Sequence, residues 1–275
     1  MYTLIVTDMD GTLVGPSLAI PQRSLNALRL AMESGCRVTI ATGRQFGPAA
    51  QVATTLGANA PLILCQGALI QDHETQEIVH TRTIPVQTAR QVVQFAASSK
   101  LSVQIHFETD EAYADVDNPH VSSMETITGA NIQLVPNLEQ WLDRPPLKIL
   151  FYQRAPQLPA LQAQLEAQFG DRLQIVRSWR HLIEITDGGV SKAEALSRLA
   201  ARLGIDQSET LAIGDQDNDA SMLRWAGLGV AMNAASASAR AAADVIAPPS
   251  PGESGSGCHD EGVAWAVERY VLGWQ

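Results

Sequence analysis

The sequence predicts an α/β fold, a doubly wound parallel-sheet core interrupted by an inserted α+β domain. Three observations predict it. Short β-branched apolar runs alternate with stretches of helical period, the links between them are short, and the rhythm breaks between about Thr83 and Thr186 before it returns.

The run Leu4-Ile5-Val6-Thr7 ends in an acidic, glycine-containing turn and reads as a first buried strand. From Pro21 to Ser34 the apolar residues Leu25, Leu28 and Met32 recur at steps of three and four. Pro21 suits a first helical position there, and Gly35 suits the stop. Val38-Thr39-Ile40-Ala41 and Leu62-Ile63-Leu64-Cys65 read as the second and third strands. Strand, helix and strand with short links imply parallel strands joined by right-handed crossovers. The same rhythm returns late, with helices over Ser191 to Leu203, Ser221 to Ala226 and Ala235 to Ala243. The strands Leu211-Ala212-Ile213 and Gly229-Val230-Ala231 fall between them, and Val245-Ile246 follows the last. In the intervening stretch Val103 to His106 and Leu147 to Tyr152 read as half-buried strands, flanked by helices at Gln87 to Ala97 and Leu158 to Ala167. The expected division is therefore 1–82 with 187–275 for the core and 83–186 for the insertion. Pro248 to Gly262, rich in Pro, Gly and Ser, reads as a mobile loop before a last helix over Val263 to Val271.

Composition narrows the partners. A chain of 275 residues with 45% hydrophobic and 17% charged residues matches a folded soluble protein. Its formal charge of -10, from 19 Lys+Arg against 29 Asp+Glu, argues against nucleic acid and anionic membrane as partners. Cys36, Cys65 and Cys258 lie far apart and supply no disulfide framework, which fits a reducing compartment. Met1-Tyr2-Thr3 carries no basic stretch, and the apolar run that follows stops at Val6. The expectation is a cytoplasmic protein, a monomer or weak homo-oligomer.

Asp8-Met9-Asp10-Gly11-Thr12 stands where the first strand ends. In extended chain, residues two apart point the same way, so both carboxylates are expected at the carboxyl edge of the sheet, where ligands bind in such folds. Two like charges there need a cation or a shared proton, although an Asp-Gly pair is also ordinary turn chemistry. The second strand ends in Ala41-Thr42-Gly43-Arg44, which offers a hydroxyl and a permissive backbone to a phosphate oxygen, or simply a turn. Ile213-Gly214-Asp215-Gln216-Asp217-Asn218-Asp219 follows a strand and supplies the hard oxygen ligands that suit Mg²⁺. An EF-hand would need a later Gly and Glu that this run lacks, and Asp219 alone could be the N-cap of the next helix. Lys192 opens a helix after Gly188-Gly189-Val190-Ser191, within reach of a phosphate at the strand ends, though most lysines are simply solvated. Nucleotide-redox, serine-hydrolase and zinc signatures are absent from the sequence.

The ordered set Asp8-x-Asp10-Gly-Thr12, Thr42-Gly-Arg44, Lys192 and Gly214-Asp215-x-x-Asn218-Asp219 closely resembles the haloacid dehalogenase superfamily, and within it the Cof-type sugar-phosphatase branch. The resemblance spans the chain and implies that the inserted α+β domain is a cap that sets specificity. It also implies a magnesium-dependent phosphatase acting on a small phosphorylated metabolite. Asp8 would be the nucleophile and Asp10 the general acid and base. Thr42 and Lys192 would hold the phosphate, with Gly43, Arg44 and Asn218 near the substrate. Asp8, the Asp10 main chain, Asp215 and Asp219 would form the metal site. Two positions depart from the family pattern: Gln66-Gly67-Ala68 stands for Asn-Gly-Ala, and Asn233-Ala234 follows Met232 where an Asn is usual two positions on. A phosphomutase of the same architecture and a phosphoacceptor signalling module are the alternative functions. Which cap side chains face the substrate is left open, with His106 and Asp115 as candidates and His106 most simply a solvent-facing strand residue.

Overall fold

The computed structural model describes residues 2–108, 110–115, 120, 131–179, 181–249 and 261–274. Among the described residues two sheets form. The larger has eight strands, in the spatial order β14 (Val245–Ile246), β13 (Leu228–Ala231), β12 (Thr210–Gly214), β1 (Leu4–Asp8), β2 (Arg37–Ala41), β3 (Leu62–Leu64), β4 (Leu69–Gln71) and β5 (Ile78–Thr81). Pairing is parallel from β14 to β3, and β4 and β5 extend that edge by antiparallel pairing. The core sheet is thus mixed at one edge, because short turns follow β3 and β4 in place of crossover helices.

Period-two alternation feeds two apolar layers. Ile5 of β1 joins the layer under α1 (Gln22–Glu33), α2 (Phe46–Leu56) and α8 (Gly262–Tyr270), which bury Leu28, Val52 and Val263 there. Leu4 and Val6 point the other way, to α5 (Lys192–Leu203) and α6 (Ala220–Trp225), with Leu196, Leu199 and Leu223. α7 (Ala237–Ala242) joins the same layer through Ala239. With β1 flanked by β2 and β12, its carboxyl end lies in the middle of the sheet edge.

The smaller sheet has six strands, in the order β10 (Leu173–Trp179), β11 (Leu182–Asp187), β9 (Lys148–Tyr152), β6 (Ser102–His106), β7 (Ala112–Asp115) and β8 (Ile132–Val135). It is antiparallel except for the parallel pair β7 and β8. Val103, Ile105, Ile149, Phe151, Ile183 and Ile185 pack one face against α3 (Val86–Ser98) and α4 (Leu158–Phe169). The opposite face carries Gln104, His106, Lys148 and Glu184. These four are buried as well, so β6 and β9 are closed on both faces and not half-buried as the sequence suggests.

The expected loop over Pro248 to Gly262 lies, from 250 to 260, outside the described residues. Among the described residues no helix is long and apolar enough to cross a membrane.

Candidate active site

Two strand ends of the core sheet, those of β1 and β12, and the first residue of α5 converge on one acidic pocket. Asp8, the last residue of β1, is 6% exposed, and its Oδ1 accepts from Lys192 Nζ at 2.5 Å. The same ammonium donates at 2.5 Å to Oδ1 of Asp219, which follows β12 by five residues. Lys192 reaches inward because it opens α5 directly after Ser191, whose side chain caps the helix by accepting from the Glu194 amide. Asp215 completes the group: one carboxylate oxygen each from Asp8, Asp215 and Asp219 lies within 4.8 Å of the others. Thr12 Oγ1 and Gln216 Nε2 donate to Asp215 at 2.8 and 2.6 Å. Gly11, at φ +89, sits where a Cβ would lie 2.8 Å from Asp215 Oδ2, so both conformation and space call for glycine.

The electrostatics are unbalanced. Three buried carboxylates face one buried ammonium, a formal excess of two negative charges. Burial first, and then the neighbouring Asp219 charge, push the Asp8 carboxyl well above the usual carboxylate range, and the same two causes raise Asp215. Lys192 is raised although its burial opposes this, because Asp219 and Asp8 favour the charged ammonium. A divalent cation with hard-oxygen preference matches both the donor set and the charge deficit.

Asp219 is more than a helix cap. Its Oδ2 accepts from the amides of Asp215 and Gln216 at 3.0 and 2.9 Å, which folds the acidic loop around it, and it makes no side-chain cap to α6. Asp217 turns outward and accepts from Ser236.

The Asp10 carboxylate does not join the pocket of Asp8. It pairs with Arg44 in a fork, Nε to Oδ2 at 2.7 Å and Nη2 to Oδ1 at 2.6 Å. The turn after Met9 breaks the strand, so the two-residue alternation that would aim both aspartates at one point stops at Asp8. Thr42 is buried after β2, and its Oγ1 accepts from the Arg44 amide at 3.1 Å. Gly43 contributes backbone alone, its carbonyl accepting from Lys148 Nζ at 2.6 Å.

Asn218 Nδ2 donates to Gln66 Oε1 at 2.9 Å, and Gln66 Nε2 donates to Glu184 Oε1 at 3.3 Å. The Gln66 departure thus places an amide between the acidic loop and the six-stranded sheet, with Gln66 itself in the left-handed region at φ 62. At the other departure, the Asn233 carbonyl accepts from Arg240.

His106 is fully buried and not solvent-facing: Nδ1 lies 2.6 Å from Gln45 Oε1 and Nε2 2.9 Å from Gln104 Oε1. Gln45 Nε2 donates to the Phe107 carbonyl, which fixes its oxygen toward His106. A neutral ring that donates from Nδ1 then needs a donor at Nε2. The Gln104 amide supplies one when its nitrogen, which otherwise faces no partner, is turned to the ring. Asp115, the last residue of β7, accepts from the Leu138 amide and ties the strand end to the turn that starts there. Lys148 and Glu184 were not legible as site residues. The signal they carry is a charged residue at the start or middle of an alternating apolar strand, Lys-Ile-Leu-Phe-Tyr and Leu-Ile-Glu-Ile-Thr.

Comparison with known proteins identifies the family and the fold. The family model of haloacid dehalogenase-like hydrolases matches residues 5–255. A protein named HMP-PP phosphatase from Yersinia pestis (strain Pestoides F) is 30% identical over 236 residues, covering 84% of this chain and 84% of that protein. The chloroplastic endoribonuclease YBEY of Arabidopsis thaliana is 27% identical over 98% of this chain, and the chain spans about half that protein's length, 47%. Among solved structures, a haloacid dehalogenase-like hydrolase from Bacteroides thetaiotaomicron superposes with a TM-score of 0.83 at 27% identity, covering 98% of this chain and 99% of that one. Asp8, the buried Lys192 and the acidic loop gather at the carboxyl edge of the sheet in a matching fold, and the chain belongs to the haloacid dehalogenase-like hydrolases, in their Cof-type phosphatase branch.

Proposed function

We propose that the protein hydrolyses a small phosphorylated metabolite in the cytosol through a phosphoryl group carried on Asp8, with a sugar phosphate as the first class to test. The observation that carries this reading is the buried Asp8 carboxylate at the centre of the sheet edge, held 2.5 Å from Lys192 beside Asp215 and Asp219.

In this scheme an Asp8 oxygen attacks phosphorus while the ester P–O bond breaks. Asp10 gives its proton to the leaving oxygen, which requires that it first leave the Arg44 fork. Water then attacks the phosphorus of the aspartyl phosphate, Asp10 takes the proton, and the Asp8 carboxylate is restored with release of phosphate. Thr42 Oγ1, which already accepts from the Arg44 amide, keeps its own hydrogen for a phosphate oxygen. Lys192 offers positive charge to the same group, and Gly43, Arg44 and Asn218 border it. Magnesium would be held by Asp8, Asp215, Asp219 and the main chain of Asp10, and would supply positive charge against the phosphate dianion. Residues 83–186 would act as the cap that selects the leaving group.

The test is hydrolysis of p-nitrophenyl phosphate and a panel of sugar phosphates in MgCl₂. Asp8→Asn should abolish turnover, and Asp10→Asn should lower it by roughly 10²- to 10⁴-fold. Near-normal turnover by Asp8→Asn would end the scheme.

A further inference from the structure

We propose that Lys148 and Glu184, on the six-stranded sheet, are positioning residues for the Thr42 to Arg44 loop of the core, and that Gln66 extends their hold to Asn218. The proposal rests on the reading above, in which Thr42 binds phosphate.

The two side chains come together by register. On β9 and β11, Glu184 pairs with Leu150, which puts it diagonal to Lys148 on the same face, and the charges meet at 3.3 Å. Both are nearly closed to solvent, at 2% and 5% exposure. A buried ion pair is a weak source of stability, since a well-packed apolar pair often does as well, so its presence calls for another reason. The partners suggest one. Lys148 Nζ donates to the Gly43 carbonyl at 2.6 Å, and the amide on the other end of that same peptide group, from Arg44, donates to Thr42 Oγ1 at 3.1 Å. One peptide plane therefore links the lysine to the Thr42 hydroxyl. With the Thr42 oxygen occupied as an acceptor, its hydrogen is directed elsewhere; if the carbonyl were released, the peptide could turn and that direction would be lost.

Glu184 extends the linkage. Its Oε1 accepts from Gln66 Nε2, and Gln66 Oε1 accepts from Asn218 in the acidic loop. The Gln66 backbone amide meanwhile donates to the Thr42 carbonyl at 3.0 Å. A continuous path of hydrogen bonds thus runs from Asn218 through Gln66, Glu184 and Lys148 to Gly43. Asparagine at 66 would be one methylene shorter and could not span both Glu184 and Asn218 from the same backbone. A Cβ on Gly43 would fall 2.3 Å from Gln66 Nε2 and 3.0 Å from Glu184 Oε1, so a side chain there would displace the bridge between them. Loop and sheet are therefore in register only while the six-stranded sheet sits on the core.

A double-mutant cycle in the full chain tests this. Lys148→Met with Glu184→Gln removes both charges together, so no unpaired ion is left buried. The pair variant, Thr42→Val, their combination and the wild type are compared for melting temperature, p-nitrophenyl phosphate kinetics in MgCl₂, and calorimetric binding of inorganic phosphate. The expected result is a pair variant that melts close to the wild type yet loses about tenfold in kcat/KM and in phosphate affinity. In the Thr42→Val background the same pair should cost less than about twofold more, because its effect passes through Thr42. Equal losses in both backgrounds, or no loss in either, would overturn the proposal. A wild type that turns over no phosphoester overturns the phosphatase reading instead, and the phosphate-binding cycle still decides the positioning claim. If the pair variant does not fold, Gln66→Asn keeps the ion pair and shortens the bridge: a loss of about threefold or more in phosphate affinity is expected, and unchanged affinity would overturn the proposal.

Discussion

At His106, burial first and the nearby Lys148 ammonium second push the imidazole well below its ordinary titration range. The unfolded chain takes up a proton as pH falls through about 6.5, while the native ring does not. The unfolded state then binds more protons, so this group makes stability fall with acidification, by up to about 1.4 kcal/mol per pH unit. Urea unfolding of wild type and His106→Gln at pH 7.5, 6.5 and 5.5 should show the wild-type advantage shrinking as pH drops. An advantage independent of pH would mean that the ring titrates alike in the native and unfolded states, and one that grows as pH drops would mean that the native ring is charged. The catalytic candidates are more legible in the sequence than the environment of this histidine. Asp8, Thr42, Lys192, Asp215 and Asp219 stand at element ends, where polar residues after an apolar run stand out in the sequence. His106, Gln45 and Glu184 owe their environment to contacts from residues 61 to 118 positions away, which local pattern does not encode. The Arg44 fork on Asp10 is not encoded locally either, since it depends on a turn breaking the strand after Asp8.

At the scale of elements, the loop between β2 and α2 is fixed from both sides. The Asp110 carboxylate accepts from the amides of Phe46 and Gly47 at the start of α2, and Lys148 holds the Gly43 carbonyl. Gly43→Ala would drive a methyl group into the Gln66 amide and the Glu184 carboxylate. Overpacking of this kind costs about 1–3 kcal/mol, so the variant should melt several degrees lower and lose activity out of proportion to its stability. A variant with wild-type melting and rates would show that the loop has slack. The long periodic elements were legible: α1, α3, α4 and α5 and the parallel strands fall within a few residues of their expected places. α2 was not, because Phe-Gly-Pro at its start and Thr54 and Thr55 near its end weaken the helical pattern. β4 and β5 are three and four residues long, and β8 alternates buried and exposed positions poorly, so each lacks the period that marks a strand.

For the whole molecule, the acidic pocket lies where the six-stranded sheet meets the carboxyl edge of the eight-stranded one, and both sheets contribute to its surroundings. Its excess negative charge is a cost to the folded state that a bound cation would relieve. Magnesium that binds only the folded chain adds RT ln(1 + [Mg]/Kd), about 2.7 kcal/mol at a hundredfold excess over Kd. Melting curves against MgCl₂ at matched ionic strength should therefore rise for the wild type and much less for Asp215→Asn. Equal responses from the two proteins would remove Asp215 from the metal site. The α/β class and the presence of an insertion were readable from the alternation of periods and its interruption. The mixed edge of the core sheet was not, because β4 and β5 are too short to carry a strand period, and the closed inner face of the smaller sheet was not, because it arises from pairing between strands distant in sequence.

The central claim is a covalent phosphoryl group on Asp8, and trapping it is the most direct test. The enzyme is mixed with ³²P-labelled acetyl phosphate and MgCl₂, quenched in acid within milliseconds, and digested, since an acyl phosphate survives acid and is lost in base or hydroxylamine. The account predicts base-labile label on the peptide that contains Asp8, with none in Asp8→Asn and more in Asp10→Asn, where water attack lacks its base. Hydrolysis by the wild type with no label at Asp8, or label that persists in Asp8→Asn, would contradict it.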